Sequence, residues 1–308
     1  MAARRPLLGC LCLLVTTVIW GAAFLAQKLG MDHVGPFAFT VYRNALAGFF
    51  LLAFVQRPRG RRPAPPAVFA NLRYGFCSGL ALFAAMMFQQ LGIMHTSPGI
   101  CAFLTTNYVL AVPVLGLLLG RRPKIHVWAG VLVALLGTYL ICVEGGESGS
   151  MGKGELLTVA SAVGFAVQIL VVDWCVGRDD ADLPLICCSQ FFTGALLGLP
   201  FLLLPSERAL LSVEHVRAGF WAIAFCGVLS SGVAYTLQNV GQRMVAAAPA
   251  AVIMSLESAF AALFGWVAFR LFPSTFPDGV IESRRLVGCA LVFLAAVGTQ
   301  VFELRGER

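Results

Sequence analysis

Charge is what this sequence has least of. Asp, Glu, Lys and Arg make up 12% of its 308 residues, about half the roughly 25% of a soluble domain. A chain so poor in charge cannot cover a surface that faces water, which excludes the soluble globular class. Histidine is scarce too: His33, His95, His126 and His215 lie scattered near the ends of apolar runs, without the close spacing of a metal site. No phosphate-cradling P-loop and no G-x-S-x-G nucleophile elbow is present, so ATP-driven pumping and elbow-type hydrolysis have no basis in the sequence. The ten cysteines do not make a disulfide framework. Most lie inside apolar runs, where a thiol packs as a small apolar group. Cys10/Cys12 and Cys187/Cys188 lack the two-residue gap of a zinc or redox pair. No catalytic residue, metal or cofactor is expected.

What the sequence has is apolar length. Hydrophobic residues make up 59% and the mean hydropathy is +0.84. Runs of about 20 residues recur, each long enough to cross a hydrocarbon core of about 30 Å. Only helices or a closed barrel satisfy the backbone there. Barrel strands alternate in polarity over about 10 residues; a run such as Leu132–Val143 does not. Helices are therefore expected at 7–29, 36–56, 68–92, 97–119, 125–144, 154–176, 184–204, 219–241, 247–269 and 285–303. Turn and breaker residues separate them: Gly35-Pro36, Pro58–Pro66, Ser97-Pro98, Gly145–Gly154 and Pro273–Gly279. The first run follows Arg4 and Arg5, as in a signal peptide, but it is long and no Ala-x-Ala-like site follows it. It reads as the first span.

The net charge of +7 is a matter of topology, not of nucleic acid. If the N-terminus is cytoplasmic, the inner segments of the first half carry Arg4, Arg5, Arg57, Arg59, Arg61, Arg62, Arg73, Arg121, Arg122 and Lys124. The outer ones carry only Lys28 and Lys153. Positive loops stay inside, so both termini are expected in the cytoplasm, although the second half shows no such bias.

Shifted by about 150 residues, the chain matches itself. Phe76-Cys77 recurs as Phe225-Cys226, Gln89-Gln90-Leu91-Gly92 as Gln238-Asn239-Val240-Gly241, and Arg43 falls opposite Gln190. Five spans per half is an odd number, so the second half lies upside down. The expected fold is all-α integral membrane, ten transmembrane helices as two inverted five-helix repeats, 1–146 and 147–308. Inverted repeats are a recurring plan of secondary transporters. They also occur in channels.

Ile19-Trp20-Gly21-Ala22-Ala23-Phe24, Gly35-Pro36-Phe37 leading to Arg43, Leu117-Leu118-Leu119-Gly120-Arg121-Arg122, Gly232-Val233-Ala234-Tyr235 and Ser255-Leu256-Glu257-Ser258 stand in order along the chain. Together they resemble EamA-type permeases of the drug/metabolite transporter superfamily. The resemblance implies ten helices, cytoplasmic termini, a central cavity and export of metabolites or amino acids. A Gly-Glu pair that often follows the ninth helix there is replaced by Ala268-Phe269-Arg270.

A charge at the bilayer centre costs about 2.5 kcal/mol or more and faces a cavity or a partner. Glu257, near the middle of the ninth span, can bind a proton, a cationic group or Arg43; Arg43 fits structural pairing better. Ser231, Tyr235, Gln238 and Gln242 share one helical face, as do Thr16, Trp20, Phe24 and Gln27, and Ser161, Phe165 and Gln168. These stripes line a cavity or bond neighbouring helices. Asn107 and Tyr108 lie mid-span, Asn107 opposite Glu257 in the repeat, and both should touch a cavity on the pseudo-twofold axis. Gln89 and Gln90 fit an interface equally well. Gly75/Gly79, Gly116/Gly120 and Gly194/Gly198 have the spacing that lets helices approach.

The reading is a secondary transporter of small metabolites in a cell (inner) membrane, working by alternating access. Its substrate-binding or coupling residues are Glu257, Arg43, Trp20, Asn107, Tyr108, Gln168, Tyr235 and Gln238. Export of amino acids or related metabolites leads. Import or nucleotide-sugar-like exchange stays open, and a channel or membrane-embedded enzyme follows behind. The partners are a small solute, the lipid bilayer and protons, with a homodimer left open and no nucleic acid.

Overall fold

The structure, a computed structural model, describes residues 6–55, 65–142, 152–272 and 283–306. Arg4, Arg5, Arg57, Arg59, Arg61, Arg62 and the breaks around 58–64, 145–151 and 273–279 lie outside these residues.

Among the described residues ten long helical segments follow one another: α1 (Pro6–Met31), α2 (Pro36–Val55), α3 (Pro65–Ile93), α4 (Pro98–Leu118), α5 (Ile125–Cys142), α6 (Lys153–Val176), α7 (Leu183–Leu203), α8 (Phe220–Gln242), α9 (Ala247–Leu271) and α10 (Ser283–Gly306), with two short helices, Pro205–Arg208 and Val213–Ala218, between α7 and α8. The ten long segments stand within a few residues of the expected spans. Among the described residues nine regions are long and apolar enough to cross a membrane, and α5 supplies a shorter apolar helix. Proline opens several of them, since its missing N–H costs nothing in a first turn. At α4, Ser97 caps the chain by accepting from Ile100 N, and at α7 Asp182 does so from Leu185 N. Gly120, at φ 76°, turns the chain out of α4, a backbone that a side chain would strain.

The helices pack as two related halves. α3 lies on α6 and α7, and correspondingly α8 lies on α1 and α2; α4 lies on α6 as α9 lies on α1. α2 meets its counterpart α7, α5 meets α10, and α4 meets α9. The first part of α4 touches the second part of α9, and the second part of α4 touches the first part of α9. The two counterparts are thus antiparallel, as inverted repeats require.

Two of the three glycine pairs sit at close contacts. A Cβ on Gly75 or Gly79 would come within 2.5 Å of backbone oxygens of α7, so α3 and α7 touch backbone to backbone. Gly194 packs on Asn44 and Gly198 on Val41. Gly116/Gly120 departs from the packing expectation: neither has a neighbour closer than 3.8 Å to an added Cβ, and Gly120 serves the turn.

Three helices are irregular where the halves meet. α4 is interrupted at Asn107, and α9 at Ser255-Leu256, each between two α-helical pieces. In α8, Phe225–Ala234 is a π-helix, a geometry often found at functional sites.

Candidate functional site

The interrupted helices surround a small cavity of ≈ 30 Å³. α1 contributes Trp20 and Gln27, α2 Arg43, α3 Gln89, α4 Thr105 and Tyr108, α6 Gln168, α8 Ser230, Tyr235 and Gln238, and α9 Glu257. Both halves therefore build it. The space is about that of one water molecule, smaller than a metabolite.

Arg43 is 2% exposed. Its Nε donates to Ser231 Oγ at 3.1 Å, Nη2 to Ser230 Oγ at 3.2 Å and Nη1 to Gln27 Oε1 at 2.8 Å. Gln90 Nε2 donates to the same Gln27 oxygen at 2.9 Å. All these acceptors are neutral. The guanidinium is fully held in place but its charge is not neutralised by any carboxylate within ion-pair distance among the described residues. The fixed Arg43–Glu257 pair offered by the sequence does not form.

Glu257 is 3% exposed and opens the second piece of α9, where the helix N-terminus favours an anion. The Thr106 and Tyr108 side chains stand near its carboxyl group. Yet Glu257 Oε1 and the Tyr108 hydroxyl each lack a hydrogen-bond partner of good geometry. Buried polar atoms are seldom left so.

An aromatic and amide wall completes the site. Trp20 and Tyr235 rings meet at 4.7 Å between centroids, and Trp20 Nε1 donates to Ser230 O at 3.2 Å. Gln238 Nε2 donates to Gln168 Oε1 at 3.2 Å and to Gln242 Oε1 at 2.9 Å. The site can thus offer a cation, a carboxyl group and a flat apolar wall at once.

Both ends of the bundle are latched. At the end that carries residues 31–36 and 204–219, Glu207 reaches the start of α2: Oε2 accepts from Ala38 N at 2.9 Å and Oε1 from Phe37 N at 3.4 Å. Burial pushes the Glu207 carboxyl above the usual carboxylate range, while the two backbone N–H groups pull it down by less. At the other end, Arg121 pairs with Asp173, and Glu303 with Lys124 at 3.2 Å and His126 at 2.7 Å.

The model of the EamA-like transporter family matches residues 7–143 and again 152–299. The chain belongs to the EamA-like transporter family. An "uncharacterized transporter" of Archaeoglobus fulgidus is 27% identical over 254 residues, 82% of this chain and 75% of that one. A "probable terminal-alkyne amino-acid exporter" of Streptantibioticus cattleyicolor is 24% identical over 83% of this chain and 84% of its own. A "probable biotin transporter" of Pseudomonas aeruginosa is 28% identical over 80% and 84%. A solved crystal structure shares the fold at TM-score 0.72 and 19% identity, covering 97% of this chain and 99% of its own.

Of the residues singled out in the sequence, this EamA-like transporter brings Trp20, Arg43, Tyr108, Gln168, Tyr235, Gln238 and Glu257 to one cavity. Asn107 is not among them. Its amide donates to Leu104 O at 3.1 Å and Phe103 O at 3.4 Å, so it satisfies the backbone where α4 is interrupted. Gln89 and Gln90 are buried in the protein: Gln89 lines the cavity, and Gln90 supports Gln27. Sequence spacing missed Ser230, which joins its neighbour Ser231 on Arg43 from within the π segment. It also missed Glu207, whose partners lie about 170 residues away.

Proposed function

We propose that this EamA-like transporter is a secondary exporter of small zwitterionic metabolites, amino acids or close relatives. The observation that carries the reading is the buried Arg43, held only by neutral partners, in one cavity with a buried and under-bonded Glu257. A solute with a carboxylate and an ammonium supplies both missing charges. Its carboxylate meets the guanidinium, whose fork suits two oxygens. Its ammonium meets Glu257, and an apolar side chain lies on Trp20 and Tyr235. The amino-acid exporter name of one relative agrees with this chemistry; the biotin name of another agrees with the carboxylate half of it.

In this reading the halves 1–146 and 147–308 rock about the site. Parting the Glu207 latch opens one end, and parting the Arg121–Asp173 and Glu303 contacts opens the other. The Arg-rich end faces the cytoplasm of a cell whose inner membrane the chain spans. Glu257 binds a proton when the ammonium leaves, which couples export to proton return. One chain builds the whole cavity, so the reading needs no second copy.

The test is counterflow in proteoliposomes of the purified chain, preloaded with a pool of unlabelled amino acids. Saturable uptake of labelled amino acid, lost in Glu257→Gln and Arg43→Ala variants that fold, is the expected result. Equal transport of the matching amino alcohols, which lack the carboxylate, would sink the zwitterion reading. Unsaturable flux without exchange would favour a channel.

A further inference from the structure

A second space in the molecule belongs neither to the cavity nor to the latches. A cleft of ≈ 690 Å³ lies between α2 and the last turns of α8, beside the link from α6 to α7. Phe50 and Phe54 form one wall, Val233 and Leu237 the other. Its rim carries Asp179 and Asp180 from the link and Arg243 from the end of α8. All three are exposed, and none makes an ion pair among the described residues. Asp182, on the same rim, caps α7.

The repeat explains why space is left. At the offset that sets Gln89 against Gln238, Phe83 stands opposite Gly232; at the offset that sets Arg43 against Gln190, Phe54 stands opposite Phe201. In the first copy the gap is filled: Phe83 and Phe201 rings meet at 6.2 Å, and Phe37 stacks on Phe201 at 4.5 Å. In the second copy a glycine stands at that position against the Phe50 ring, and the cleft opens beside them.

We propose that this cleft binds one phospholipid with a primary-amine headgroup, of the phosphatidylethanolamine type. The cleft lies between two membrane-spanning helices, so an acyl chain fits between its apolar walls where water would be poorly received. The rim then matches the headgroup: the ammonium donates to Asp179 and Asp180, and Arg243 pairs with the phosphate. An anionic glycerol headgroup brings nothing for the two carboxylates and is repelled by them. The bound lipid wedges α2 from α8 at one end of the bundle.

The experiment is native mass spectrometry of the full chain, stripped of lipid in detergent and titrated with dioleoyl phosphatidylethanolamine or phosphatidylglycerol. The wild type should retain one ethanolamine lipid per chain, about tenfold more tightly than the glycerol lipid. Gly232→Phe and Val233→Trp, which fill the cleft, should each weaken it at least tenfold. Asp179→Asn with Asp180→Asn, on an exposed link, should erase the preference between headgroups. Equal binding of the two lipids by the wild type, or no retained lipid, overturns the proposal. So does wild-type binding by either filling variant. An added Cβ at Gly232 meets Phe50 at 2.7 Å; if that variant fails to fold, Val233→Trp and the rim variant decide. The readout is binding, independent of what the central cavity carries.

Discussion

Arg43 and Glu257 line the same cavity, 2% and 3% exposed, and do not pair. Burying two opposite charges is costly even when they touch. Holding them apart costs more still, unless a guest joins them. Arg43 is held by three side chains from α1 and α8, whereas Glu257 opens a piece of α9 with one oxygen unbonded. The rigid member of the couple is the guanidinium; the one with free capacity is the carboxyl group.

The first prediction follows from that asymmetry. Arg43→Lys keeps the charge but loses the fork, and one ammonium cannot replace three separately aimed donors. Left without partners, buried polar groups cost about 1–3 kcal/mol each. Transport of carboxylate-bearing substrates should fall tenfold or more, chiefly through a higher KM, in proteoliposome kinetics. Substrates without a carboxylate should show no such loss. An unchanged KM would remove Arg43 from substrate binding.

Glu207 gives a prediction in pH. Its folded carboxyl holds its proton above the usual range because burial outweighs the bonds from Phe37 and Ala38. The sign follows from proton linkage: a group that binds protons more tightly when folded makes stability fall as pH rises from its unfolded to its folded pKa. Glu207→Gln escapes this cost but offers one acceptor oxygen where the two N–H groups of Phe37 and Ala38 have two. The difference between its melting temperature and the wild type's should therefore shift in the variant's favour as pH rises, and against it in acid. A thermal series over pH 4–8 in detergent checks it; an advantage that grows toward acid would reverse the assignment.

The fold was legible where length and polarity carry information. Ten apolar runs set ten helices, and the recurrence of Gln89-Gln90 as Gln238-Asn239 exposed the repeat. Glu257, Tyr108 and Gln168 could be found because a polar group in mid-span needs a cavity or a partner. Spacing cannot say which of the two it gets. Asn107 took the partner: its amide folds back onto carbonyls three and four residues earlier. The π segment of α8 left no mark in the pattern of apolar residues, so Ser230 stayed hidden beside Ser231. Glu207 looked like one more acid in a connection, since nothing near it in sequence announces the start of α2.

Asn107 supplies the third prediction. If its amide serves the interrupted backbone of α4, Asn107→Ala removes two weak bonds and no substrate contact. The cost should be about 1 kcal/mol of stability, read as a lower melting temperature, with substrate KM unchanged. A raised KM at an unchanged melting temperature would return Asn107 to the cavity.

The last prediction concerns how α1 meets α9. A Cβ on Gly21 would stand 2.5 Å from Phe260 Cβ and 2.8 Å from the backbone of Phe260 and Ala261. Backbone cannot swing aside as a side chain can, so Gly21→Ala must push the two helices apart. Overpacking of this kind costs about 1–3 kcal/mol. Gly265, inside α9, has nothing within 4 Å of an added Cβ, and alanine there gains helix propensity of about 1 kcal/mol. Gly21→Ala should therefore melt several degrees below the wild type, and Gly265→Ala at or above it. Because Gly21 neighbours Trp20 on α1 and Phe260 follows Glu257 on α9, the same push should widen the cavity between Trp20 and Glu257. Counterflow rates would then fall in Gly21→Ala even at temperatures where the chain stays folded. Equal melting temperatures for the two variants would mean that α1 and α9 do not touch as closely as the backbone contacts require.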